Sequence, residues 1–135
     1  MLKSIFLSAI AIFIAWMVLD LLMHRYLLAS LYEQNAGLWR PFDQVNVVLI
    51  YFVTFTLIAI FIAVYALLVS PKSLTAGVEF GLFLGLALGI SSGLGTYIHM
   101  PIPRALAWGW FVAGCLKGAA AGAIMGVLIT GPRGR

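Results

Sequence analysis

Charge is what this chain has least of. Eight basic and four acidic side chains serve 135 residues, so 9% are charged while 64% are hydrophobic. A water-soluble domain carries about 25% charged residues, because a body of this size has much surface to keep wet. The shortage excludes a soluble monomer and a disordered chain. It also excludes a nucleic-acid partner, despite a net charge of +4. Cysteine is nearly as scarce. Cys115 stands alone, which rules out an internal disulfide framework and a zinc knuckle. Catalytic signatures are missing too. There is no nucleophile–base motif, HExxH pair, phosphate loop or dinucleotide-binding glycine fingerprint, and no enzymatic activity is expected.

What the chain has instead is apolar length. Crossing ~30 Å of hydrocarbon as a helix takes about 20 mainly apolar residues. Four stretches suffice: Ile5 to about Leu31, Val45 to about Val69, Ala76 to Ile98, and Ala105 to Thr130. No alternating apolar and polar segments of barrel type occur, and in lipid each backbone amide must find its partner within its own segment. The expected fold is all-α: four transmembrane helices in an up-down-up-down bundle, forming one domain over residues 1–135. The joins agree, with Glu33 to Gly37, Ser70-Pro71-Lys72-Ser73 and Met100-Pro101-Ile102-Pro103-Arg104 all turn-prone. The first run exceeds a signal-peptide core of about 7–15 residues and lacks a convincing cleavage site, so it counts as a span.

Orientation follows from basic residues near the helix ends. Lys3, Lys72, Arg133 and Arg135 share the side of both termini, and Arg25, Arg40 and Arg104 the other. Four against three places both termini in the cytoplasm. Tyr32, Trp39, Trp108 and Trp110 then lie near the outer interface, where amphipathic rings settle.

The most specific pattern is in the second half. Gly77, Gly81, Gly85, Gly89 and Gly93 recur every four residues, and Gly114, Gly118, Gly122 and Gly126 do the same. Small residues at this spacing let helix backbones approach closely where lipid supplies no hydrophobic drive. Spans three and four are expected to pack as a tight antiparallel pair. The alternative is that one ladder faces outward as a self-association seam. Spans one and two, rich in Leu, Ile, Phe and Val, have a different texture.

Ionisable groups within the bilayer are site candidates by default. Asp20 lies ~24 Å and Lys117 ~20 Å from the same membrane side at 1.5 Å per residue. Similar depth predicts a buried ion pair, which orients the bundle or serves ion coupling. Glu79, in the first turn of span three, is attributed to helix-start electrostatics. At the outer end Asp20 and His24 share a helix face at i, i+4. His99 and Met100 reach the same surface, along with Arg25, Arg40, Arg104, Glu33 and Asp43. Two cofactor readings stay open there beside ordinary interfacial histidines. One is a transition metal on His24, His99 and a carboxylate or Met100; the other is a b-type haem between His24 and His99. Cys115, flanked by apolar residues at mid-membrane, is expected to be inert.

Leu19-Asp20, Leu31-Tyr32 and Leu38-Trp39-Arg40-Pro41 are the residues by which the first third of the chain resembles small, uncharacterised bacterial inner-membrane proteins with four spans. That resemblance implies a topology and a bacterial cytoplasmic membrane, and no reaction. The expected role is a structural, accessory or binding protein of that membrane. Its partners would be the lipid bilayer and either a larger membrane complex or further copies of itself. The alternatives are a small oligomeric transporter or ion-coupled carrier, and a haem- or metal-binding redox subunit.

Overall fold

The computed structural model describes residues 1–131. Pro132 and two members of the basic count, Arg133 and Arg135, lie outside the described residues. Helix α1 (Leu2–Asp20) runs on into a π-helical segment, Leu21–Leu27, and a short α2 (Ala29–Gln34) follows a bend at Leu28. Helix α3 spans Val47–Leu68 and α4 Leu74–Gly89. A second π-helical segment, Ile90–Gly95, joins α4 to α5 (Thr96–His99), and α6 spans Arg104–Leu128. The stretches Leu2–Leu27, Val47–Leu68, Leu74–His99 and Arg104–Leu128 are each long and apolar enough to cross a membrane. No strand occurs among the described residues, and the four spans form the all-α bundle that apolar length requires. The face bearing the start of α1 and the end of α6 is called proximal below, the opposite face distal.

Local chemistry sets the helix ends. Asn46 Oδ1 accepts from Leu49 N at 3.0 Å, and Ser73 Oγ from Ala76 N at 3.1 Å, so both helices begin on side-chain caps. Because α4 starts at Leu74, Glu79 falls in its second turn and is exposed. The expected helix-start role for Glu79 is corrected: the serine cap, three residues upstream of the anticipated start at Ala76, begins the helix earlier. The first span is likewise corrected. It does not run straight to Leu31 but breaks at Leu28, where the backbone turns to φ −102°, ψ 0°.

Helix α6 is the centre of the bundle, with α4 laid closely along one side and α1 along another. The α4–α6 seam is made of the two glycine ladders. A methyl group built on Gly85 would stand 2.7 Å from the Gly114 carbonyl oxygen, and one on Gly89 2.6 Å from that of Phe111. From the facing helix, a methyl on Gly114 would stand 2.8 Å from the Gly89 Cα. Gly77, Gly81 and Gly93 face Gly122, Gly118 and Ala107 backbone more closely still. Backbone rather than side chain fills the space, so nothing there can step aside. Both ladders are consumed in this contact, which corrects the alternative of an outward self-association seam.

The second π segment belongs to the same geometry. On an α-helix a residue four positions on lands just past a full turn, so a four-residue row drifts sideways. A π turn takes more residues per revolution, so the fourth lands just short and the drift reverses. Gly93 thereby stays on α6, against Ala107 and Phe111.

Helices α1 and α3 keep their distance through rings instead. Phe13 stacks on Phe55 with centroids 4.7 Å apart and lies 6.1 Å from Tyr51. A proximal core of Ile12, Trp16, Ile58, Phe61, Tyr65 and Met125 is separate from a distal core of Leu28, Ile102, Leu106 and Ala107. The candidate site lies between the two.

Candidate functional site

Between the cores is a cavity of about 380 Å³. Helix α1 and its π extension contribute Trp16, Asp20 and His24; α3 contributes Leu57 and Phe61. Leu88, Ser91 and Ser92 come from α4 and the second π segment, and Trp110, Gly114 and Lys117 are among those from α6. Each π segment thus delivers polar side chains to the wall, as such insertions commonly do at functional sites.

The polar part is built from an ion pair. Lys117 Nζ donates to Asp20 Oδ1 at 2.9 Å and to Oδ2 at 2.8 Å. Trp16 Nε1 donates to the Lys117 carbonyl oxygen at 2.9 Å, which sets the α6 backbone level with Trp16, one turn proximal to Asp20. The lysine stem climbs that turn, and its ammonium lies 4.8 Å from the Trp16 ring centroid. The side chains are 35% (Asp20) and 25% (Lys117) exposed. This corrects the expectation of a buried pair: the pair forms, but it stands in the cavity wall. Either charge left alone at this depth would cost ~3 kcal/mol on insertion scales.

His24 Nε2 lies 3.8 Å from Asp20 Oδ1, and its Nδ1 lies 2.6 Å from Tyr32 Oη. Trp110 Nε1 donates to the same phenol oxygen. An indole N–H can only donate, so Tyr32 Oη accepts there and keeps its own proton to offer to His24 Nδ1. The acceptor-only Asp20 carboxylate facing the other ring nitrogen favours the same tautomer, with the ring hydrogen on Nε2 toward Asp20 and the cavity. Burial raises the Tyr32 phenol above its ordinary pKa, by more than the Trp110 bond lowers it, which keeps the proton that this arrangement needs. Trp39 packs edge-on against Tyr32, with centroids 5.3 Å apart, and braces it from the distal side.

The other anticipated members are elsewhere. His99 and Met100 end α5, are exposed, and take no part in the cavity wall. Among the described residues no group of three or more His, Cys, Asp or Glu side chains is close enough together to hold a metal ion. The single outer cluster of Asp20, His24, His99 and Met100 is therefore corrected. A shared membrane surface fixes depth but not rotation about the helix axis, and α5 turns its end away. His24 is engaged by Tyr32 and faces Asp20, while His99 lies outside the cavity wall, so the cavity does not hold the two histidines together. Arg25, Arg40, Arg104, Glu33 and Asp43 are exposed and outside the wall, and Cys115 sits half-buried in α6.

Sequence reasoning missed Trp16, Ser91 and Ser92 as site residues. Two adjacent hydroxyls inside an apolar span were a usable signal for the serines; for Trp16 there was none. Tyr32 and Trp110 read as interfacial anchors, a role that hides their hold on His24. No protein-family model matches the chain, and neither does any curated protein or solved structure.

Proposed function

We propose that this is a small ligand-binding protein of the bacterial cytoplasmic membrane, its site being the cavity around Asp20, His24 and Lys117. The observation that carries this reading is the break in the core at one level. There a charge pair, a tautomer-fixed histidine and two hydroxyls meet aromatic and aliphatic walls in a space of about 380 Å³. Pockets of about 300–1,000 Å³ with apolar walls and a few convergent polar groups are the usual form of a small-molecule site. A second cavity of about 500 Å³ lies between α1 and α3 nearer the proximal face, but its wall carries no polar side chain; the level of Asp20 and Lys117 is where open space and convergent polar groups coincide. Leu88, Ser91 and Ser92 are exposed, so a guest enters from the lipid. The first hairpin's likeness to small bacterial four-span proteins supports the choice of membrane, and the basic-residue balance supports cytoplasmic termini.

The test is equilibrium binding of radiolabelled 2-naphthol, a neutral lipid-soluble probe, to the protein in lipid nanodiscs. Saturable binding of one probe per chain is expected, and Leu88→Trp, which crowds the cavity mouth, should abolish it. Uptake that rises linearly with probe, equal to that of empty nanodiscs, would overturn the reading.

A further inference from the structure

The hydrogen-bonding capacity left over in the cavity specifies more than a lipophilic guest. Asp20 and Lys117 neutralise each other, so an anion or a cation entering beside them would leave one unpaired charge in a poorly solvated site. The guest is therefore neutral overall. The carboxylate in the wall, Asp20, holds Lys117 with both oxygens and is faced by His24. Chief among what remains are donors: the third ammonium hydrogen of Lys117, the His24 Nε2–H, and the hydroxyls of Ser91 and Ser92, which donate as readily as they accept. A guest that accepts hydrogen bonds satisfies these donors.

The donors are also divided. His24 and Lys117 belong to the α1–α6 side and the serines to the π segment that continues α4, and α1 packs against α6 separately from both. Acceptors are needed on two edges of the guest. Between them the surroundings are aromatic and flat, with the indoles of Trp16 and Trp110 and the side-chain-free backbone of Gly114 and Gly118. We infer that the cavity takes a lipid-soluble quinone, a flat neutral ring with carbonyl oxygens on opposite edges. One carbonyl faces Lys117 and His24, and the other faces Ser91 and Ser92. Tyr32 is a positioning residue here, because its hydroxyl holds the histidine hydrogen on the nitrogen that faces the guest. This inference rests on the binding function proposed above and concerns binding alone.

The experiment is displacement of radiolabelled 2-naphthol from the nanodisc protein by 2,3-dimethyl-1,4-naphthoquinone and by 2,3-dimethylnaphthalene. The two differ only in the carbonyls, and the blocked ring positions prevent addition of Cys115. The quinone should displace the probe at a concentration at least about tenfold lower, the worth of one or two net hydrogen bonds. Ser91→Ala with Ser92→Ala should remove most of that advantage while leaving the hydrocarbon unchanged, and Ser91→Thr with Ser92→Thr should restore it. Equal displacement of wild type by both compounds overturns the inference, and so does an advantage that survives the alanine pair. In either case saturable 2-naphthol binding leaves the binding function standing; loss of saturable 2-naphthol binding to wild type removes both.

Discussion

Two helix pairs in this molecule are held together by opposite means. Along α4 and α6 the backbones touch, and a methyl group on Gly85 or Gly114 would fall 2.7–2.8 Å from atoms of the other helix. Along α1 and α3 contact is made through side chains, with Phe13 stacked on Phe55 and Trp16 edge-on to Phe61 at 5.5 Å. The first arrangement leaves no free volume and tolerates no growth. The second joins shapes that fit only approximately, leaving an apolar space of about 500 Å³ within the pair and a gap where it meets the smooth glycine face. The cavity is that gap: Trp16, Leu57 and Phe61 border it from the ring-spaced pair, and Leu88, Gly114 and Gly118 from the seam. A site in a four-helix membrane protein thus needs no special element, only a boundary between two packing styles with polar groups placed on it.

Enlarging the seam gives the largest expected effect. Gly81→Leu drives a side chain into the backbone of Gly118 and Gly122. It should cost at least about 3 kcal/mol, the upper range for overpacking, and the detergent-purified variant should lose its cooperative thermal unfolding by circular dichroism. An unchanged melting curve would mean that the ladders are not the contact that holds α4 on α6.

Next comes the pair that bridges the two halves. Asp20→Asn strands Lys117 and Lys117→Met strands Asp20, each expected to cost ~3 kcal/mol. The double variant should be much less destabilised than the sum, because no charge is left uncompensated. Strict additivity in that cycle, read by unfolding in mild detergent, would show that the two charges do not depend on each other.

Smaller still is the response of the ring-spaced pair to deletion. Phe61→Ala should cost about 1–3 kcal/mol, less than the ~3–5 typical of a water-soluble core. Lipid and protein interior are similarly apolar, so only the packing loss counts. The smallest effect belongs to the outer face of α3: Phe52, 67% exposed, should tolerate Phe52→Leu within about 0.5 kcal/mol. If Phe61→Ala proves as harmful as Gly81→Leu, the contrast between the two pairs fails.

Much of the architecture was legible in the residues. Span number follows from apolar length, and the partnership of α4 and α6 follows from two ladders of equal spacing on sequence neighbours. The depth of Asp20 and Lys117 follows from counting, and the ~4 Å offset so obtained is close to the one helical turn that the lysine stem climbs. What failed were statements about direction around an axis and about where a helix begins. His99 shares a membrane face with His24 but not a wall, and Glu79 missed the first turn because Ser73 rather than a later residue caps α4.

The one-dimensional pattern decided how many times the chain crosses, which faces come close and how deep each charge lies, because length, residue size and desolvation act along a single helix. The tertiary structure decided what those charges meet. Trp16 under Lys117, Tyr32 against His24, and Ser91 and Ser92 across the gap depend on helix rotation and on two π segments that re-aim the side chains. Rotation is set jointly by all the packed neighbours, so no single segment carries it.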